Sequence, residues 1–169
     1  METSSKQTRY RMWTNALSQY HNLGASLGVT YNFWQNFNIG GNYSYAKLIK
    51  VDAKDYGLET SFNTPSHIVN LTFSNRNVYK NIGFNIQYRW QSAFEWKSPL
   101  ANGTVPAYHA LDLQVSYRIP KIGAFFKVGG TNIVNTYYTQ YVGGPAIGGM
   151  YYVAISFDGL LANIGNKAK

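Results

Sequence analysis

The 169-residue sequence contains no cysteine, so it can form neither a disulfide framework nor a thiolate metal site. It also lacks any run of about 18 apolar residues, which a transmembrane helix would need. Charged residues make up only 13 % of the chain, whereas an average soluble domain has about 25 %. Residues 1–6 have no apolar core, so the start of the chain does not resemble a secretory signal peptide.

Aromatic residues, in contrast, are abundant. They make up 17 % of the chain, with 15 tyrosines, 9 phenylalanines and 4 tryptophans. The mean hydropathy is nevertheless only −0.28, because polar residues are interspersed with the apolar ones. Low charge, many aromatics and modest hydropathy are together typical of a membrane β-barrel, in which half of each strand is polar. The formal net charge of +8 comes from basic residues that are not clustered, so we expect no nucleic-acid partner.

Apolar and polar residues alternate over most of the chain. From Leu23 to Phe33 every odd position is apolar, and the positions between are Gly, Ser, Thr or Asn. The same alternation returns at 82–91, 111–119 and 151–158. Successive side chains of a β-strand point to opposite faces, so each segment predicts a strand with one apolar and one polar face. The predicted strands are 21–33, 38–50, 67–78, 82–92, 108–119, 124–132 and 150–158, with residues 8–14 as the outer end of a preceding strand.

Charged residues occupy the middle of the polar faces, as at Arg89, Asp112 and Arg118. An unpaired Arg or Lys that faced lipid at this depth would cost about 2–4 kcal/mol. The polar faces are therefore expected to point into a wet lumen and the apolar faces into lipid. The residues expected to face outward are Leu27, Val29, Ile86, Val115, Ile155 and Phe157, and those expected to face inward include Gln87, Arg89, Asp112 and Arg118.

Short and long connections alternate between the predicted strands. The short ones lie near 34–37, 79–81 and 120–123, and the long ones span about 51–66, 93–107 and 134–149. Outer-membrane barrels have short periplasmic turns and longer extracellular loops. The alternation thus predicts an antiparallel meander of next-neighbour hairpins with the long loops outside. Trp96, in the second long loop, fits either an interfacial aromatic girdle or a carbohydrate-stacking site.

Candidate metal ligands and catalytic residues do not converge in the sequence. His21, His67 and His109 lie near the starts of different predicted strands, whereas a metal ion needs ligands that meet at one point. The Gly-rich segment 143–149 lacks the lysine of a phosphate-binding loop. No Ser-His-Asp order or pair of carboxylates suggests catalysis. We therefore expect no enzymatic activity, no metal site and no cofactor.

Five segments, in this order, carry a resemblance to a known family. Residues 13–15 and 24–28 read WTN and GASLG, residues 62–71 read FNTPSHIVNL, and residues 128–138 read VGGTNIVNTYY. Residues 143–157 then read GGPAIGGMYYVAISF, a Gly-Pro-rich loop followed by a strand with an aromatic near its end. This series resembles the carboxyl end of TonB-dependent outer-membrane receptors.

The resemblance implies the architecture and partners of that family. Its members combine a plug domain with a twenty-two-stranded barrel, and they import scarce ligands with energy passed from the inner membrane. Residues 1–158 would be the carboxyl-terminal part of the barrel and 159–169 a flexible tail. The implied partners are outer-membrane lipid, the plug domain, the remaining barrel strands and the inner-membrane energy-coupling protein. The implied ligand is an iron chelate, cobalamin or a glycan, and the implied location is the Gram-negative cell outer membrane.

The resemblance also implies a role for the polar face. Contact with the plug or with the ligand is expected there, and the alternative is a wet wall of cross-strand ion pairs. The candidate residues are Gln87, Arg89, Asp112, Gln114 and Arg118.

The fold class is therefore expected to be all-β, an antiparallel transmembrane meander that forms part of a large barrel. On its own the chain is expected to be an open curved sheet of about seven or eight strands, a fragment that is not competent alone. One alternative is a self-contained eight-stranded outer-membrane barrel with an adhesion or structural role. A soluble ligand-binding barrel is disfavoured, because it would need its apolar face inside.

Overall fold

The computed structural model describes residues 19–34, 36–52, 62–98 and 101–157. They form nine strands and one 3₁₀ turn, Pro120–Ile122. The strands are β1 (Gln19–Phe33), β2 (Phe37–Asp52), β3 (His67–Tyr79), β4 (Ile82–Gln91), β5 (Phe94–Trp96), β6 (Gly103–Val105), β7 (Tyr108–Ile119), β8 (Ala124–Thr131) and β9 (Met150–Phe157). All seven predicted full-length strands are present, with bounds that differ from the prediction by no more than two residues. The predicted strand at 8–14 and the predicted tail at 159–169 lie outside the described residues.

Seven of the strands form one sheet in the order β1-β2-β3-β4-β7-β8-β9, and each neighbouring pair is antiparallel. This order confirms the predicted all-β antiparallel meander. Within the described ranges, β1 and β9 each pair on one side only, so the sheet is open. The described strands do not close on one another as the alternative eight-stranded barrel would require.

The short connections are tight because their residues tolerate left-handed backbone conformations. Lys80 and Asn81 have φ of 43° and 71° between β3 and β4, and two positive φ values are what a type I′ hairpin turn needs. Gly123, with φ of 61°, ends the 3₁₀ turn between β7 and β8. Each turn therefore brings the next strand back beside the previous one.

The strand register divides the side chains between two faces, as the alternation predicted. On one face Leu27 lies opposite Tyr43, Val115 opposite Val128 and Phe126 opposite Ile155. On the other face Gln87 lies opposite Asp112, and Asn85 opposite Gln114. At these positions apolar residues lie opposite apolar residues from strand to strand, so the apolar face is continuous.

That apolar face is not covered by any other part of the described chain. Leu27 is 69 % exposed, Val153 is 66 % exposed and Ile155 is 62 % exposed. The buried hydrophobic side chains among the described residues are only Val105, Ala110 and Ala124. The sheet thus has no hydrophobic core of its own. Among the residues described, no helix is long and apolar enough to cross a membrane.

The long connection between β4 and β7 contains structure that the alternation did not predict. β5 and β6 form a small hairpin in which Phe94 lies opposite Val105 and Trp96 opposite Gly103. Three-residue strands are too short to show a two-residue period, so the pattern in the sequence could not reveal them. This hairpin places Trp96 at the end of the sheet where the long connections meet.

Candidate functional site

The polar face of β4 and β7 carries an ion pair. Nη2 of Arg89 lies 3.0 Å from Oδ2 and 3.4 Å from Oδ1 of Asp112. In the register Arg89 lies opposite Ala110, and Asp112 lies opposite Gln87, so the ion pair runs diagonally between the two strands. The Arg89 side chain is 45 % exposed and the Asp112 side chain 16 %. Such a diagonal contact is within reach of a long side chain.

Asp112 also anchors the segment that follows β8. Its Oδ1 accepts the backbone N–H of Asn132 at 2.8 Å, and the carbonyl of Leu111 accepts the N–H of Ile133 at 2.8 Å. Asp112 therefore has two partners already, a guanidinium and a backbone amide. Its role within the described chain is to hold the exit of β8 against β7.

The asparagines of this segment shape the loop that leads towards β9. Asn132 and Asn135 have φ of 49° and 55°, and Asn is one of the residues that tolerate this region best. The Asn132 Nδ2 donates to the carbonyl of Thr136 at 2.9 Å. The Asn135 Oδ1 accepts the N–H of Gly149 at 2.7 Å, which joins the start of the loop to its end.

Gln114 belongs to a second polar contact, which spans three strands. The Tyr152 hydroxyl on β9 lies 2.9 Å from Oε1 of Gln114 on β7. Gly129 of β8 lies between them in the register, opposite both residues. A Cβ at Gly129 would lie 2.7 Å from the Tyr152 hydroxyl and 2.7 Å from the carbonyl of Leu113. The missing side chain therefore leaves the space through which Tyr152 reaches Gln114.

Four of the five candidate residues line two neighbouring cavities on the polar face. Gln87, Asp112 and Gln114 line a cavity of about 200 Å³. Arg118 and Gln114 line a larger one of about 540 Å³ nearer the short turns, where the Arg118 guanidinium lies 6.0 Å from the centre of the Phe125 ring. Arg89 is joined to this group by its ion pair. The structure thus brings the candidates together, and their contact with a ligand or plug stays a prediction.

At the opposite end of the sheet, the long connections contact one another. Asn63 and Lys97 exchange two hydrogen bonds, from Asn63 Nδ2 to the Lys97 carbonyl at 2.9 Å and from the Lys97 N–H to Asn63 Oδ1 at 2.8 Å. The rings of Trp96 and Tyr141 lie 5.7 Å apart. We call this group, Asn63, Trp96, Lys97 and Tyr141, the loop cluster. It joins residues from three separate connections.

A further cavity of about 330 Å³ lies between the start of β7 and the connection from β8 to β9, and its lining includes Tyr108, His109 and Thr136. Tyr108 stacks on Tyr138, with ring centres 3.9 Å apart. Sequence reasoning missed both this stack and the loop cluster, because their members come from separate parts of the chain. The abundance of Tyr near the strand ends was the only signal for them.

The histidines remain separate. His67 lies with its Nδ1 2.7 Å from the Tyr43 hydroxyl, and the ring of His109 lies 6.4 Å from that of Tyr88. Within the part of the chain that the structure describes, no group of three or more His, Asp or Glu side chains is placed to hold a metal ion.

Comparisons with known proteins agree with this arrangement of strands. Residues 3–135 match the family described as TonB dependent receptor-like, beta-barrel. The Gly-Pro-rich loop and last strand, which carried much of the sequence resemblance, lie beyond that match. Among curated proteins, no match to the sequence was found.

A solved structure with a similar fold is the FrpB iron transporter from Neisseria meningitidis, F3-3 variant. The TM-score is 0.63 at 14 % sequence identity, and the likeness covers 79 % of this chain and 22 % of that one. At this identity the likeness concerns the fold alone. The matched part of this chain corresponds to less than a quarter of that chain's length.

Proposed function

This chain belongs to the TonB-dependent receptor β-barrel family, and from that premise we propose that it supplies barrel wall and extracellular loops to a receptor that imports a scarce ligand. The observation that carries the proposal is the continuous exposed apolar face opposite a face with paired polar groups. Residues such as Leu27 and Val153 are more than half exposed. Burial of apolar surface is worth about 25 cal/mol per Å², and lipid is the environment that would supply it.

The receptor would need partners in addition to the strands that the structure describes. β1 and β9 present unpaired edges in the described sheet, and unpaired backbone groups cannot be left in lipid. We infer that other barrel strands pair with them, that outer-membrane lipid covers the apolar face and that a plug domain fills the lumen. The inner-membrane energy-coupling protein would act through an amino-terminal part of the receptor.

The candidate lumen residues differ in whether another residue of the described chain already binds their side chains. Asp112 is engaged by Arg89 and by the backbone of Asn132, and Gln114 is engaged by Tyr152. Gln87 and Arg118 have no side-chain hydrogen bond within the described ranges. We propose that Gln87 and Arg118 contact the ligand or the plug, and that Arg89, Asp112 and Gln114 hold the wall that presents them.

The ligand class is an iron chelate, cobalamin or a glycan. FrpB is described as an iron transporter, so iron chelates are the first class to test. The aromatic rings of the loop cluster and the Tyr108–Tyr138 stack would suit a ligand with flat or ring-shaped surfaces.

Uptake by cells with and without the gene tests the proposal. Each strain would receive one labelled ligand at a time: a ferric chelate, cobalamin or an oligosaccharide. Uptake is expected for one class only, and it is expected to stop when the inner-membrane proton gradient is collapsed. Equal uptake by both strains for all three classes would refute the receptor function.

A further inference from the structure

The larger cavity on the polar face is positively charged. It has a volume of about 540 Å³ and lies at the short-turn end of the sheet. Three of its lining residues are the cations Arg76, Arg118 and Lys127, and no Asp or Glu lines it. We call this cavity the basic pocket. Its charge is not explained by the barrel-wall role, for which paired charges would suffice.

The three cations have no carboxylate partner within the described chain. The carboxylate nearest along the strand, Asp112, already binds Arg89 and the backbone amide of Asn132. Arg118 instead lies over the ring of Phe125, a cation–π arrangement that holds a guanidinium without neutralising it. Three like charges in one cavity repel one another, so an anionic partner would reduce the electrostatic repulsion between them.

The backbone brings Arg76 towards the other two cations. The register between β3 and β4 shifts after Asn75, and a Cβ at Gly83 would lie 2.6 Å from the Arg76 carbonyl. Arg76 therefore lies against β4, because Gly83 has no side chain. From β4 to Lys127 on β8 there are two strand spacings, or about 10 Å. This is a distance between backbones, and the three long side chains extend from it into one cavity.

Arg118 and Lys127 are diagonal neighbours, since Lys127 lies opposite Ser116 in the register. Diagonal neighbours in an antiparallel pair are about 7–8 Å apart. Alternate residues of an extended peptide are about 7 Å apart. An extended segment with acidic residues at alternate positions would therefore place one carboxylate at each cation, with the Phe125 ring beneath it.

We propose that the basic pocket binds an extended acidic polypeptide segment inside the barrel. This inference depends on the proposed function in one respect only, namely that the polar face lines the lumen of the barrel. A lipid headgroup is disfavoured, because Arg118 and Lys127 lie on the face opposite the exposed apolar residues Tyr117 and Val128. The occupant is thus a chain in the lumen, recognised by the spacing of its carboxylates.

Peptide binding to the full chain in detergent micelles tests the proposal. The probe is a fluorescein-labelled peptide with alternating Gly and Glu, and the control peptide has Gln in place of Glu. The Glu peptide is expected to bind more tightly at low salt than at high salt, and the Gln peptide is expected not to bind. In the variant R118Q/K127Q the affinity should fall by about tenfold, because two exposed ion pairs are lost.

The matched control is K121Q, which removes one positive charge in the exposed 3₁₀ turn at the same end of the sheet. The affinity of K121Q for the Glu peptide is expected to equal that of the unchanged chain. An equal loss in K121Q would mean that the peptide senses only net charge. Competition by inorganic pyrophosphate as effective as that of the unlabelled Glu peptide would mean a small-anion site. Either result would overturn the proposal.

Thiol labelling in intact outer membranes covers the case in which the isolated chain does not fold. The chain has no native cysteine, so labelling of S116C measures access to the basic pocket, which Ser116 lines. Labelling of S26C measures access to the polar face on β1, away from the pocket. Labelling of S116C is expected to rise when R118Q/K127Q is added, while that of S26C is unchanged. Identical labelling of S116C with and without the two changes would refute occupancy. Ligand uptake is not measured in either experiment, so their failure is distinct from failure of the receptor function.

Discussion

Tyr152 and Gln114 are joined across an intervening strand, by a 2.9 Å contact between the tyrosine hydroxyl and the amide oxygen. The two residues are 38 positions apart in the chain. Gly129 lies between them in the sheet and leaves the space for the ring. The packing of an aromatic ring over a strand glycine protects the exposed backbone and pins the register. The contact therefore couples β7, β8 and β9 on the face that carries the candidate site.

Adding a methyl group at Gly129 tests this coupling. In G129A the new Cβ would meet the Leu113 carbonyl and the Tyr152 ring at less than 3.0 Å. We expect a loss of about 1–3 kcal/mol in the free energy of unfolding, measured by urea titration in lipid vesicles. The matched control is G28A on the polar face of β1, where the nearest atom lies 3.6 Å from the new Cβ. An equal loss in both variants would show that the space beside Gly129 has no special role.

Substitutions at Asp112 test which of its two partners, the Arg89 guanidinium or the Asn132 amide, contributes more to the free energy of unfolding. D112N removes the charge that pairs with Arg89 but keeps an oxygen that can accept the Asn132 N–H. Because Arg89 is 45 % exposed, we expect D112N to cost less than about 1 kcal/mol of unfolding free energy. D112A leaves the Asn132 amide without this acceptor, so about 1–3 kcal/mol should be lost. The same urea titration would contradict us if D112N cost as much as D112A.

The assignment of faces can be tested with nitroxide labels at Val115 and Gln114 in lipid vesicles. Val115 is 45 % exposed on the apolar face, whereas Gln114 contacts Tyr152 on the polar face. Molecular oxygen, which concentrates in lipid, should relax the label at 115 faster than the label at 114. A slip of one residue in the register would invert the order, and the inverted result would show that the polar face is the one towards lipid.

Loss of the Trp96 ring should loosen the loop cluster without unfolding the sheet. In W96A the contact with Tyr141 at 5.7 Å disappears, while β5 and β6 keep their backbone pairing. We expect faster proteolysis within 93–107 and an unchanged midpoint of unfolding. The control W34A removes the same side chain from the opposite end of the sheet, where Trp34 is 72 % exposed. Faster cleavage of 93–107 in W34A as well would argue against a specific loop contact.

Hydrogen exchange in detergent tests whether the sheet is open. β4 is paired on both sides, whereas β1 and β9 are each paired on one side within the described chain. Amides of β4 should therefore exchange more slowly than those at the outer edges of β1 and β9. Strong and equal protection of β1 and β9 in a monomer would instead mean that they pair with each other. The small closed barrel would then be correct.

The sequence by itself determined the seven main strands and the two faces. The alternation from Leu23 to Phe33 is a local property, because each residue in a strand points opposite to its neighbour. The tight turns were equally local, since Asn81 and Gly123 can adopt the positive φ that reverses the chain. The seven main strands and the meander order could therefore be predicted without knowledge of any contact between them.

Only the tertiary structure decided which polar groups meet on those faces. Asp112 binds the amide of Asn132 from 20 residues away, and Arg118 joins Arg76 in one cavity because the chain shifts register after Asn75. β5 and β6 pair, and Trp96 of β5 contacts Tyr141, although strands of three residues carry no periodic signal. Such contacts depend on register and on the space left by Gly83 and Gly129, and neither is encoded in a two-residue period.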